Sequence, residues 1–155
     1  MGTPDFAALL VDAQAILAQP LPFEQRCQEL CQLLATRVPH YAWVGFYWVA
    51  PDAERTLMLG PYVGEPTEHT RIPFGKGICG QAAVTLDTFV IQDVTQETNY
   101  LSCSPSVRSE IVVPILRDGE FLGELDIDSH HLAPFTGEDR AFLERVAALV
   151  AAAAP

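Results

Sequence analysis

The sequence predicts an α+β fold: an antiparallel sheet with the N- and C-terminal helices packed on one face. Two observations carry this. Apolar residues at helical spacing stand near both chain ends, and runs rich in β-branched and aromatic residues fill the middle. A third is the pair "SEIVVPIL" and "EFLGELDID" around Arg117-Asp118-Gly119, which reads as a hairpin. A chain of 155 residues, 49% of them apolar, suits a single domain over 1–155 with a real core.

The elements follow in order. Thr3-Pro4 reads as a cap and first-turn proline, opening a helix striped by Phe6, Leu9, Leu10, Ala13, Ile16 and Leu17. Pro20 and Pro22 end that pattern. A second helix over residues 22–37 carries Phe23, Cys27, Leu30, Cys31 and Leu34 on one side. "YAWVGFYWVA" (41–50) is a strand by composition, and "TLMLGPYVG" is its partner across the "PDAER" turn. "GEPTEHTRIPF" is a loop leading into a short strand, residues 78–85 are a short helix, and "TFVIQDV" is the next strand. The loop "TQETNYLSCSPSVR" precedes the hairpin. Thr136-Gly137-Glu138-Asp139 resembles a capping box and opens a C-terminal helix bearing Phe142, Leu143, Val146, Leu149 and Val150.

Composition narrows the function. The net charge of -11 argues against nucleic acid or an anionic membrane as partner, since both need clustered Lys and Arg. No apolar run approaches the roughly 20 residues of a membrane helix, and "MGTPDF" lacks the basic and apolar parts of a secretion signal. The expected setting is cytoplasmic, where cysteines are free, catalytic or metal-binding rather than structural disulfides. Cys27 and Cys31 sit on an apolar stripe without further ligands nearby and read as core residues. His130-His131 reads as a surface turn, and no metal or cofactor is expected.

The stretch "GKGICG" (75–80) sets Cys79 and the only lysine, Lys76, among three glycines. A phosphate loop is a poor match, because that pattern wants Ser or Thr after the lysine. Two readings remain open. The glycines make only a tight turn, or helix-start amides and Lys76 favour a Cys79 thiolate. Cys103 lies in a long polar loop, and two loop cysteines in a reducing compartment suggest a redox pair.

Together "WVGFYW", "TRIPFGKGICGQAA", the Cys103–Glu110 spacing in "CSPSVRSEIVVPI" and "LGELDIDS" resemble the GAF-fold free methionine-(R)-sulfoxide reductase family, over about residues 20–150. The resemblance implies thiol-dependent reduction of free methionine sulfoxide, with a thioredoxin-like reductant restoring the enzyme. It implies Cys103 as the reactive loop cysteine and Cys79 as the second one, joined in a disulfide during turnover. Glu110, Asp126 and Asp128 match the substrate-binding acids, and Trp43 and Tyr47 the aromatics around the substrate's methyl end. His69 replaces a third cysteine that some members carry, and is expected at the pocket mouth as an auxiliary group. A homodimer is expected from the apolar terminal helices. The alternative is a non-catalytic GAF module that binds a small ligand or serves signalling; the lack of an attached output domain counts against it.

The hairpin register is expected to place the acids. A three-residue Arg117-Asp118-Gly119 loop pairs Leu116 with Glu120, Ile111 with Leu125 and Ile115 with Phe121, giving a clean apolar face. Glu110 then stands across from Asp126, with Asp128 two residues on, all on the other face. Glu124 is read as a surface acid.

Overall fold

The computed structural model describes residues 4–101 and 104–155. Its elements are α1 (Phe6–Leu17), α2 (Phe23–Arg37), β1 (Trp43–Val49), β2 (Thr56–Val63), β3 (Arg71–Pro73), α3 (Gly77–Thr85), β4 (Phe89–Ile91), β5 (Ser109–Arg117), β6 (Glu120–Ser129) and α4 (Gly137–Ala153). The six strands form one sheet in the order β3-β2-β1-β6-β5-β4, and the paired neighbours run antiparallel.

Alternation along the strands divides the sheet into two faces. Val44 and Phe46 of β1, Ile111, Val113 and Ile115 of β5, and Leu125 and Ile127 of β6 join the buried faces of α1, α2 and α4 in the main core. Cys27 and Cys31 lie in that core as free thiols, as expected. Burial pushes the Cys27 thiol up to about 12 and Cys31 well above its ordinary value, so neither ionises. The second face holds Trp43, Tyr47 and Val112 and packs against α3 through Ile78, Cys79, Ala82 and Ala83. Among the described residues no helix is long and apolar enough to cross a membrane.

Two helix starts test the capping expectations. α1 begins at Phe6, and its cap is Asp5, whose carboxylate accepts from the Ala8 amide at 3.1 Å. The expected cap, Thr3, lies outside the described residues. At α4 the capping box forms: Thr136 accepts from the Asp139 amide and donates its own amide to the Asp139 carboxylate.

The hairpin register departs from expectation by two residues. Asp118 and Gly119 form a two-residue turn, with φ of 52° and 81°, and Arg117 pairs with Glu120. Two positive φ values are the signature of the turn whose twist matches the flanking strands, and Asp-Gly is a preferred sequence for it. A bulge between Ile115 and Leu116 then moves the register on one residue more. Ile111 consequently faces Ile127, and Glu110 faces Asp128 rather than Asp126. The apolar face is nevertheless as expected, because a two-residue shift preserves side-chain direction whereas a one-residue shift reverses it.

Gly119→Ala forces a Cβ into left-handed backbone at φ 81°. The expected cost is about 1 kcal/mol, read as a fall in Tm of roughly 2–4 °C in thermal unfolding.

Candidate active site

Four segments build the cleft on the second face. β5 supplies Glu110, β6 supplies Asp126, β1 supplies Tyr47, and the Lys76–Cys79 turn opens α3; His69 and Leu101 close the sides. As folded the space is small, about 10 Å³ or one water molecule. Entry of any amino-acid-sized ligand therefore requires these walls to part.

The turn before α3 is held from outside. Lys76 stands at the helix N-cap and provides no side-chain bond, so the first amides of α3 need another acceptor. Asn99 meets the need: its Oδ1 accepts from the Gly77 amide at 2.8 Å and its Nδ2 donates to the Gly75 carbonyl at 2.7 Å. Gln81 adds bonds to the Asn99 and Gly77 carbonyls, both at 3.0 Å. Gly77 has φ 65°, and a Cβ there would meet the Leu101 side chain at 3.0 Å. The glycines thus let the 99–101 segment lie directly on the turn.

Aromatic residues fix the opposite wall. The Tyr47 hydroxyl donates to the His69 carbonyl at 2.8 Å, and Trp43 Nε1 donates to the Glu65 carbonyl at 3.0 Å. The two rings lie 6.3 Å apart at 25°, and Tyr62 stacks on Trp43 at 5.3 Å. Tyr47 borders the cleft directly; Trp43 and Asp128, paired across β1 and β6, lie buried on the same face outside the immediate lining. His69 is half-buried and borders the cleft. Cys103 lies outside the described residues, and so does its expected approach to Cys79.

Charge dominates the site. Glu110, Asp126, Asp128 and Glu124 are each at most 3% exposed. The Cys79 Sγ points at Glu110 Oε2 across 4.0 Å, and donor atoms of Cys79, Glu110 and Asp126 all lie within 4.8 Å of one another. That is close enough to share a proton or to face one cation. Burial raises the Asp126 carboxyl, and hydrogen bonds from Glu110 and Cys79 offset this only in part. Burial raises Glu124 well above its ordinary range; interaction with the Cys79 thiol offsets this in part, and the Asp126 charge adds to it.

One open reading is narrowed here and one expectation is corrected. Cys79 is not held as a thiolate: burial first, then the Asp126, Glu124 and Glu110 charges, push its thiol well above the ordinary value. The exposed Lys76 does not offset three acids around a buried sulfur. Glu124 is not a surface acid; it is fully buried, pairing with Tyr47 and Pro114 on the acidic face of β6. Its alternation with Leu125 and Asp126 was the signal that could have placed it inward.

Residues 22–154 match the GAF domain family, so the sheet, its helices and this cleft make up a GAF domain. A free methionine-R-sulfoxide reductase from Saccharomyces cerevisiae is 42% identical over 109 residues, covering 70% of this chain and 60% of the yeast protein. The Escherichia coli enzyme of the same name is 34% identical, over 94% of this chain and 86% of its own. The structure of the Neisseria meningitidis free methionine-R-sulfoxide reductase in complex with its substrate superposes with a TM-score of 0.89 at 33% identity, covering 99% of this chain and 92% of that one. The chain belongs to the GAF-domain free methionine-(R)-sulfoxide reductase family, a family of oxidoreductases.

A buried carboxyl with a raised pKa weakens folding as pH rises. The unfolded Glu124 ionises near 4.5 while the folded one stays protonated, so the unfolded state releases more protons. Glu124→Met is expected to stabilise the fold by about 1–3 kcal/mol at neutral pH. The gain should shrink as pH falls below 4.5, where both states are protonated. Denaturant melts at pH 7 and pH 4 check both halves; an equal effect at the two pH values contradicts the buried-acid account.

Proposed function

We propose that this chain, as a single GAF domain over residues 1–155, reduces free L-methionine (R)-sulfoxide to methionine. The observation that carries the reading is the Cys79 thiol buried against Glu110 and Asp126 on the wall of the cleft. A sulfoxide oxygen leaves only with a proton, and burial keeps the Asp126 carboxyl protonated well above its ordinary range. Ionised acids of the same group pair with the ammonium of a free amino acid, which a peptide-bound residue lacks. The faces of Tyr47 and Trp43 suit the methyl end.

In the first step the Cys103 sulfur attacks the sulfoxide sulfur, the oxygen is transferred, and methionine leaves with Cys103 as sulfenic acid. In the second, the Cys79 sulfur displaces that oxygen as water and a Cys79–Cys103 disulfide forms. A dithiol of the thioredoxin kind then reduces the disulfide. The raised Cys79 thiol supports this order of roles, because a protonated thiol is a poor first nucleophile. A homodimer in the cytoplasm completes the reading.

Separated sulfoxide epimers, free and peptide-bound, test it. Methionine should form from the free (R) epimer alone. Cys103→Ser should form none, whereas Cys79→Ser should release about one methionine per chain and stall. Reversal of those two behaviours exchanges the roles.

His69 replaces a family cysteine on the cleft wall, where an imidazole can hold a carboxylate or pass a proton. His69→Ala is expected to lower kcat/KM and to change its pH profile. An unchanged profile leaves His69 a wall residue only.

A further inference from the structure

An ammonium group pairs with carboxylate oxygens and has no use for a sulfur donor. Yet the cleft sets one beside two acids. Donor atoms of Cys79, Glu110 and Asp126 lie within 4.8 Å of one another, and all three residues are at most 4% exposed. They come from three elements: Cys79 from the start of α3, Glu110 from β5 and Asp126 from β6. Glu110 pairs with Asp128 and Asp126 with Val112, so the two acids are diagonal neighbours on one face. The longer glutamate side chain spans that diagonal. A second observation stands apart from the cluster. Asp126 Oδ1 is buried with no hydrogen-bond partner among the described residues, in a side chain that borders the cleft. Such an oxygen is costly, and a ligand placed there removes the cost.

We propose that the cleft binds one Zn²⁺ through the Cys79 sulfur and a carboxylate oxygen each from Glu110 and Asp126, and that the bound ion excludes the sulfoxide substrate. The ion is a reversible inhibitor, not a resident cofactor. Its binding stands on the geometry alone, whereas the inhibition rests on the reading of this cleft as the substrate site.

Size and geometry favour an ion. The space between the walls is about 10 Å³, one water molecule, so an ion enters where an amino acid must first part them. Bonds of about 2.0–2.3 Å set neighbouring donors of a tetrahedral Zn²⁺ roughly 3.3–3.7 Å apart. The Cys79 Sγ already stands 4.0 Å from Glu110 Oε2, so small side-chain rotations close the cluster. The fourth position is left to water, as in open zinc sites. Sulfur selects the metal: Mg²⁺ and Ca²⁺ take about six or more oxygen ligands, whereas Zn²⁺ accepts mixed sulfur and oxygen donors. On binding, the thiol proton passes to solvent. A thiolate and two carboxylates then face a dication instead of repelling one another. Lys76 also borders the cleft, but it is exposed and solvent screens its charge.

Calorimetric titration of the full, reduced chain with Zn²⁺ alone should give one ion per chain. Co²⁺ in its place should show a near-ultraviolet sulfur-to-metal charge-transfer band, the signature of a thiolate ligand. Cys79→Ser should remove that band. Asp126→Asn and Glu110→Gln should each weaken Zn²⁺ by about tenfold or more, at least the cost of losing an outer-shell partner. Thermal melting identifies a variant that fails to fold, and the other then decides. Cys103→Ser should keep both the stoichiometry and the band. The site is overturned by the absence of saturable binding, by several weak ions per chain, or by unchanged affinity in either folded acid variant. A band that survives Cys79→Ser, or that is lost in Cys103→Ser, overturns it as well. In a single turnover without reductant, one equivalent of Zn²⁺ should abolish the methionine burst, and excess free (R)-sulfoxide should restore it. A burst that the bound ion leaves unchanged overturns the inhibition. Because the titration needs no substrate, a protein that binds Zn²⁺ but never makes methionine defeats only the reductase reading.

Discussion

The parity of pairing among β1, β6 and β5 governs this molecule. Each antiparallel ladder sends alternate side chains to opposite faces, so whatever buries Leu125 and Ile127 in the core sends Glu124, Asp126 and Asp128 to the other side. Burying each of the five branched residues Ile111, Val113, Ile115, Leu125 and Ile127 contributes about 1.5–3 kcal/mol. Repulsion between like charges on facing strands is about an order of magnitude smaller in sum, roughly 0.2–1 kcal/mol per pair. The core therefore sets the register and the acids follow. A slip of one residue would exchange the faces completely, and no local adjustment could restore them.

Once gathered, two of the acids, Glu124 and Asp126, adapt by holding protons more tightly. Buried carboxyls without a nearby cation take the neutral form, and a thiol among them does likewise. The tighter hold on protons at Glu124 and Asp126 lowers the charge that an acidic composition would otherwise place on this face. Such a site costs stability in the empty protein, as functional sites commonly do.

The geometry on the helical side depends on a cap supplied at a distance. α3 lacks a cap of its own, and Asn99 provides one from a loop 22 residues away. Because the same side chain also holds the Gly75 carbonyl, the start of the Cys103 loop is tied to the turn that carries Cys79. Leu101 then packs on Gly77, where no other residue leaves room.

Much of this was legible in the amino-acid order. Helical stripes, alternating strands, the Thr136 capping box and the core role of Cys27 and Cys31 are local patterns, and local patterns survive folding when burial supports them. The common face of Glu110, Asp126 and Asp128 was legible for the same reason, since it needs only parity. The bulge beside Leu116 was not legible: it exchanges one pairing for another at little local cost, and the choice falls to packing across the whole sheet. Nor was the chemistry of Cys79, because the acids that raise its thiol are 31, 45 and 47 residues away and meet it only when α3 closes on β5 and β6. Glu124 shows the division most clearly. Its sequence neighbours determined which face it takes, but only the tertiary structure, by covering that face with α3, decided that it is buried, protonated and beside a thiol.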